Sequence, residues 1–159
     1  MAEIGRPTVR MTEDEAWDFV ADSVNGTLTT LRRDGRPVAL PIWFVVLDRR
    51  IYVNTRGKKL VRVRNDSRAS FLVEDGERWV DLRAVHIDCE ASVIEPDDDL
   101  AGRIAEAMEA KYAAYRAVGA AMPEASRQHY KAAANGTIEL VPDGKVLTWD
   151  NSKLFGRRS

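Results

Sequence analysis

The pair Asp34-Gly35 constrains the fold of this chain more than any other feature of the sequence. Asp-Gly is a strong signal for a tight turn between antiparallel strands, and here it separates two runs rich in apolar and β-branched residues, about 27–31 and 37–47. A second turn at 48–50 leads into a third such run, about 51–54. The sequence therefore predicts three consecutive antiparallel strands.

Helix signals lie on both sides of these strands. Thr12 and Glu15 have the spacing of a capping box, and apolar residues then recur on one helical face, which predicts a first helix over residues 13–23. A short basic helix is predicted after the third strand, over about 58–64. The first helix is expected to pack on the sheet that the strands form.

The next part of the chain predicts more strands and then a pair of helices. Strands are expected at about 69–74 and 80–95, where apolar and polar residues alternate. Acidic residues beginning at Asp97 then cap a long helix, in which apolar residues keep helical spacing until Pro123 begins a second helix.

The end of the chain predicts two final strands, at 137–141 and 145–149, joined by a turn at the Pro-Asp-Gly of residues 142–144. Six or seven strands, an N-terminal helix and a helical insertion at about 97–134 predict a single domain over residues 1–159. Its fold class is α+β, mainly β, and the expected architecture is a small antiparallel barrel.

Positive charge is concentrated in one short segment. Between residues 56 and 68 there are six cations and one acid, so the segment carries +5, whereas the whole chain carries −1 and has a pI near 6.2. A protein that binds a nucleic-acid duplex usually has a much higher pI, because its Lys and Arg side chains spread over a whole face. A local patch favours a compact anion. The cations are Arg56, Lys58, Lys59, Arg62, Arg64 and Arg68.

This segment has two interpretations. If a helix begins at Lys58, then Lys58, Lys59 and Arg62 lie close to unpaired N-terminal amides, an arrangement that attracts a phosphate. The alternative is a solvated cationic helix face, which is the commoner meaning of a run of charge. Spacing alone leaves both open.

Pro41 interrupts the second predicted strand. Proline cannot donate a hydrogen bond to a ladder, so this position predicts either an edge strand or a bulge. Bulges are over-represented beside active sites, but a barrel corner without any chemistry is an equal alternative.

Cysteine and histidine content limits metal and thiol chemistry. Cys89 is the single cysteine, so no internal disulfide forms, and with His86 and His129 alone no structural zinc site is expected. Cys89 alternates with acidic residues in a predicted strand, which favours a small core residue over a reactive thiol. Residues 1–10 lack an apolar run of signal-peptide length, and no apolar stretch of about 18 residues occurs, so we expect a cytoplasmic protein without a membrane span.

Three stretches taken together carry a resemblance to a known family: residues 36–44, 51–59 and 64–75. In this order they resemble the split β-barrel flavoproteins of the pyridoxamine 5′-phosphate oxidase-like group, over about residues 25–95. The resemblance implies an FMN-binding split barrel. It also implies a homodimer with FMN or the deazaflavin coenzyme F-420 at the interface.

Carried over residue by residue, the resemblance implies where that cofactor would lie. Its ring would contact a wall on the second strand, with two flanking contacts from the third strand: Leu40, Pro41, Ile42 and Trp43, then Tyr52 and Val53. Its phosphate would be held by the basic segment, with one preceding threonine contributing: Lys58, Lys59 and Arg62, with Thr55. No side-chain catalyst is required, because the cofactor itself performs hydride transfer.

The chain also departs from that family. True pyridoxamine phosphate oxidases usually carry a lysine near the position of Pro41 and a C-terminal Arg-Leu-His motif, and this chain has neither. It looks more like actinobacterial members that reduce small conjugated substrates. We therefore expect an FMN- or F-420-dependent oxidoreductase for a small unsaturated organic molecule, with the insertion at 97–134 as a candidate cap on the substrate side.

Two other functions remain open. The same fold could bind flavin or haem without turnover, with His86 or His129 as an axial ligand of the haem. A barrel that binds single-stranded nucleic acid would interleave aromatic residues and cations along its strands. Here the cations cluster on a turn and a helix, so we expect no nucleic-acid partner.

Overall fold

The computed structural model describes residues 8–116, 122–132 and 135–155. Within these residues the chain forms seven strands and four α-helices, joined by turns and short 3-10 segments. In chain order they are α1 (Glu13–Asp22), β1 (Gly26–Leu31), β2 (Pro37–Ile42), β3 (Val45–Leu47), β4 (Arg50–Arg56), α2 (Lys58–Asn65), β5 (Arg68–Asp75), β6 (Arg83–Ile94), α3 (Asp98–Tyr112), α4 (Glu124–Ala132) and β7 (Asn135–Asp150).

All seven strands belong to one antiparallel sheet in the order β2-β1-β5-β6-β7-β4-β3. β2 and β3 follow each other in the chain, yet they are the two opposite edges of the sheet. Two residues join them, so the Cα atoms of Ile42 and Val45 lie at most about 11 Å apart. The sheet must therefore curl until its edges meet, which confirms the predicted split antiparallel barrel.

The predicted strand over residues 37–47 is wrong in one respect, because it is two strands. The chain pairs with β1 up to Ile42 and with β4 from Val45, and it crosses between the edges of the sheet at Trp43 and Phe44. Phe44 is fully buried, so this crossing is part of the core. The tight turn predicted at 48–50 is confirmed by positive φ angles at Asp48 (52°) and Arg49 (56°).

The predicted turn at residues 142–144 is also wrong. β7 is one strand of 16 residues that pairs with β6 along most of its length. The Pro-Asp-Gly sequence produces an irregularity instead: the register shifts between Ile87 and Cys89, with Pro142 opposite Cys89. The first part of β7 also pairs with β4, up to Leu140. Pairing with β6 on both sides of residues 143–145 continues the strand, and these three residues form the irregularity, with Gly144 at φ 100°.

Helices α1 and α2 contribute to the main core inside the barrel. The predicted capping box is present, since Glu15 N–H donates to Thr12 Oγ1 (3.2 Å) and Thr12 N–H donates to the Glu15 carboxylate (2.7 Å). Cys89 is buried in the same core, at 3% exposure, which confirms its prediction as a core residue. The helix residues buried there are Ala16, Trp17 and Val20 from α1, and Leu60 and Val63 from α2.

Helix α3 covers the other face of β3 and β4. Its Ile104 packs with Val45 and Tyr52 in a second, smaller cluster. Asp97 caps the helix as predicted, by accepting a hydrogen bond from Leu100 N–H (2.9 Å), and α4 begins directly after Pro123. Residues 117–121 and 133–134 of the predicted insertion lie outside the described residues. No helix in the described part of the chain is long and apolar enough to cross a membrane.

Candidate cofactor-binding site

β2 forms an exposed apolar edge of the sheet. It is hydrogen-bonded to β1 on one side only, so its other side carries unpaired main-chain groups. Pro41 lies opposite Thr27 without a shift in register, so the edge alternative for this proline is confirmed and the bulge alternative is wrong. Leu40 (37% exposed) and Trp43 (38% exposed) flank it, whereas Ile42 packs against the main core.

The crossing at Trp43 and Phe44 is held by the end of α3. The indole of Trp43 stacks on the ring of Tyr112, with centroids 4.3 Å apart and 9° between the planes. The Tyr112 hydroxyl accepts a hydrogen bond from Phe44 N–H (2.9 Å) and lies 2.8 Å from the carbonyl oxygen of Val24 and 2.9 Å from that of Phe44. Tyr112 is fully buried, and burial raises the pKa of its hydroxyl. The wall that contains Trp43 is therefore rigidly placed.

The amine of Lys111 lies at the same crossing. Its Nζ donates to the carbonyl oxygen of Phe44 (3.2 Å) and lies 3.8 Å from the centroid of the Phe44 ring. Burial lowers the pKa of this amine to about 8, and the nearby charge of Asp22 offsets part of that effect.

The cations of α2 are not neutralised by carboxylates. Among the described residues, none of Lys58, Lys59, Arg62 and Arg64 belongs to an ion pair, whereas most arginines elsewhere on the barrel do. The one acid of the segment is engaged by Arg68, which donates to Asp66 (2.7 Å) and lowers the pKa of that carboxyl to about 2. The charge of α2 is thus available to an external anion.

The start of α2 adds a second feature that suits an anion. Its N-cap is Gly57, at φ 69°, and no side chain caps the helix. The amides of the first turn therefore lack a side-chain acceptor, and unpaired amides at a helix N-terminus favour negative charge. A positive φ is costly for residues with a Cβ, which explains glycine at this position.

Arg62 connects the cationic helix to the edge strand. Its Nε donates to Thr30 Oγ1 (2.8 Å), and Thr30 lies opposite Val38 in the β1–β2 ladder. Val38 and Pro41 are three residues apart on an extended strand, so they are separated by roughly 10 Å. The cationic helix α2 therefore contacts β1 directly, and β1 is the strand that pairs with the apolar edge strand β2.

The remaining predicted site residues lie in different environments. Val53 is fully buried in the main core, and Tyr52 is buried under α3, where its hydroxyl donates to Glu139 (2.9 Å). These two side chains do not reach the surface of β2 in this chain. Thr55 is half-buried and lines a groove together with Lys59.

A third feature is an uncovered face of the sheet. Cross-strand partners share a face, and one row of partners runs across five strands: Pro41, Thr27, Leu72, His86 and Leu147. The row faces away from the main core. Leu147 is 55% exposed, and the Nδ1 atom of His86 is buried without a hydrogen-bond partner among the described residues.

Sequence reasoning missed two aromatic residues, Tyr112 at the crossing and Tyr130 beside the basic segment. Tyr112 keeps the four-residue spacing of Ile104 and Met108, so helical periodicity could have identified it as buried. Tyr130, whose ring lies 3.9 Å below the guanidinium of Arg56, gives no such signal, because the two residues are far apart in sequence.

Comparisons with known proteins agree with this architecture. A family model described as pyridoxamine 5′-phosphate oxidase matches residues 12–141. No curated protein matches the chain. Among solved structures, the chain is similar to the conserved hypothetical protein Rv2991 from Mycobacterium tuberculosis, with 29% sequence identity, 97% of this chain and 94% of that chain covered, and a TM-score of 0.75.

Two further solved structures share the fold at lower identity. One is an FAD-binding protein from Mesorhizobium loti, with 15% identity, 87% of this chain and 94% of that chain covered, and a TM-score of 0.64. The other is HutZ, the haem storage protein from Vibrio cholerae, with 15% identity, 90% and 99% coverage, and a TM-score of 0.66. At this identity the likeness is one of fold alone.

Proposed function

Because the chain belongs to the pyridoxamine 5′-phosphate oxidase family, we propose that it is an oxidoreductase that binds FMN or F-420 and exchanges a hydride with a small unsaturated organic molecule. One observation carries the proposal. The uncapped, cationic helix α2 is hydrogen-bonded through Arg62 to β1, the strand that pairs with the exposed apolar strand β2. A cofactor with a flat ring at one end and a phosphate at the other needs both an apolar surface and a cationic site on neighbouring elements.

The residues of α2 fit the phosphate. Lys58 and Lys59 offer ammonium groups beside the first-turn amides, and Arg62 is held close by through Thr30. Each charge-assisted hydrogen bond contributes roughly 1.5–3 kcal/mol, and the helix terminus adds about 0.5–1 kcal/mol. These groups are sufficient to anchor a phosphate without a metal ion.

The residues of β2 fit the ring. Leu40, Pro41 and Trp43 supply apolar surface, and the open side of the edge strand offers main-chain groups to the polar atoms of a pyrimidine ring. When bound, the cofactor supplies the hydride chemistry, and the protein binds it, orients it and excludes water. Cys89 is not a nucleophile in this scheme, because burial raises the pKa of its thiol to about 12.

We also propose that the protein is a homodimer. The row of side chains from Pro41 to Leu147 is exposed at both ends and partly exposed between them, and it is continuous with the edge that would hold the ring. A second copy would cover this row and close the ring site from the other side. Light scattering at micromolar concentration should give the mass of two chains, and Leu147→Lys should shift the mass toward one chain. A monomer at all concentrations contradicts this proposal.

A second candidate is a binding protein of the same fold that holds flavin or haem without turnover. The position of His86 on the row that faces away from the main core favours it, since a partly exposed imidazole can serve as an axial ligand through Nε2, and its buried Nδ1 makes no hydrogen bond but lies 3.9 Å from the Asp88 carboxylate. His129 is the weaker choice, because it lies on the exposed helix α4.

Spectroscopy separates these functions. The purified protein is titrated with FMN, F-420 and haem in turn, and absorption and fluorescence report which cofactor binds. Reduced FMN or F-420 is then mixed with the protein and a panel of quinones, enones and tetrapyrroles. Oxidation of the cofactor faster than the protein-free rate supports the oxidoreductase. If a cofactor binds but no acceptor speeds its oxidation, the result supports the binding protein and contradicts the oxidoreductase.

A further inference from the structure

A second cationic groove opens next to the proposed phosphate site. It lies between the end of β4, the start of β7, the start of α2 and helix α4, and it has a volume of about 640 Å³. Small-molecule sites commonly have volumes of about 300–1,000 Å³, so this groove is much larger than a single phosphate needs. The side chains that line it include Asn54, Thr55, Arg56, Lys59, Tyr130 and Thr137.

Arg56 is fixed in this groove without losing its charge. Its guanidinium lies 3.9 Å from the centroid of the Tyr130 ring, and its Nη1 donates to the carbonyl oxygen of Tyr130. Neither contact brings a carboxylate to Arg56, and none of the described residues that line the groove is acidic. Arg56 is therefore a preorganised cation facing an open volume.

Other groups of the groove are also suited to a polar ligand. Asn54 accepts a hydrogen bond from Thr137 Oγ1 (2.9 Å) through its side-chain oxygen, which leaves its amide N–H groups as donors. Tyr130 remains 53% exposed, so part of its ring can contact a flat group. Thr55 and Lys59 belong both to this groove and to the proposed phosphate site, so the two volumes are continuous.

We infer that the groove holds an anionic extension of the cofactor beyond its first phosphate, with Arg56 binding the second anionic group and Tyr130 covering it. This inference rests on the proposed function. The extension is either the second phosphate of a dinucleotide such as FAD or a tail carboxylate of F-420, since both present the same charge to Arg56. A ligand in this groove would also give helix α4 a role. None of the described side chains of α4 is buried, and the ligand would lie between α4 and the barrel and contact both.

The test compares cofactors that differ in this extension. The protein is titrated with FMN and FAD, and with F-420 bearing one or several glutamates, using the fluorescence of each cofactor. We expect the cofactor with the preferred extension to bind at least tenfold more tightly than its shorter counterpart. Arg56→Ala and Tyr130→Ala should each remove most of that preference and change FMN affinity less than threefold. Arg127→Ala is the matched control, because Arg127 lies on α4 but pairs with Glu124 and does not line the groove.

The outcomes separate this inference from the proposed function. Equal affinity for short and extended cofactors, or a preference that survives both variants, overturns the groove assignment and leaves the phosphate site intact. Equal weakening of FMN and FAD by Arg56→Ala also overturns it, because Arg56 would then belong to the first phosphate. If none of the cofactors binds, both the proposed function and this inference are wrong.

Discussion

The Tyr112 hydroxyl should be a major source of stability, because it satisfies the main chain where the polypeptide crosses between the sheet edges. In Tyr112→Phe the ring and its stack on Trp43 are retained, but Phe44 N–H loses its acceptor at a fully buried residue. Leaving a buried donor unsatisfied costs about 1–3 kcal/mol. Tyr112→Ala also removes the ring, and truncation of a buried aromatic residue costs about 3–5 kcal/mol.

Urea unfolding of the two variants measures these losses directly. Tyr115→Phe is the matched control, because Tyr115 follows α3 but is 57% exposed. It should change the free energy of unfolding by less than about 0.5 kcal/mol. If Tyr112→Phe is as stable as the wild type, then the hydroxyl does not hold the crossing and the reasoning is wrong. A loss in Tyr112→Ala alone would assign the stability to ring packing.

Three further predictions test the core and its titrating groups. The thiol of Cys89, buried and with its pKa raised to about 12, should resist thiol reagents at pH 8 until the protein is unfolded. Burial lowers the pKa of the Lys111 amine from 10.5 to about 8 in the folded protein. Between pH 8 and pH 10.5 the unfolded state therefore binds more of the Lys111 proton than the folded state does. The free energy of unfolding should therefore rise from pH 8 toward pH 10 relative to Lys111→Met, as urea titrations at each pH would show. Gly26→Ala places a Cβ 2.1 Å from the ring of Phe71 and should lose at least about 1–3 kcal/mol in thermal unfolding, whereas Gly102→Ala, in open space on α3, should gain up to about 1 kcal/mol.

Local chemistry explains the parts of the fold that the sequence predicts. The capping box of Thr12 and Glu15, the cap at Asp97 and the turn at Asp48 each depend on residues a few positions apart. The residue types alone therefore determine them. The start of α2 at Lys58 is of the same kind, since Gly57 tolerates the positive φ that begins the helix.

Long-range pairing explains the parts that the sequence does not predict. Nothing within residues 37–47 signals the change of partner from β1 to β4 at Trp43, because the partner strands lie elsewhere in the chain. The Pro-Asp-Gly of residues 142–144 has the local chemistry of a turn, but pairing of β7 with β6 on both sides of it makes it an irregularity within one strand.

The same reasoning applies to the site. Exposed residues of an edge strand and a basic helix, such as Pro41 and Lys58, can be identified from residue type. Tyr52 and Val53 cannot, because β4 is covered on both faces and adjacent residues are buried together. The contact between Arg56 and Tyr130 joins segments that no sequence pattern connects.

The affinity of the protein for FMN and F-420 when the cationic start of α2 is removed tests the central claim most directly. Lys58→Ala combined with Lys59→Ala should make the free energy of cofactor binding less favourable by about 2–5 kcal/mol, which raises Kd by roughly 30-fold to several thousand-fold. Arg10→Ala combined with Lys145→Ala removes the same charge from exposed positions outside α2 and should change Kd less than threefold. Unchanged affinity for both cofactors in the α2 variant would contradict the account.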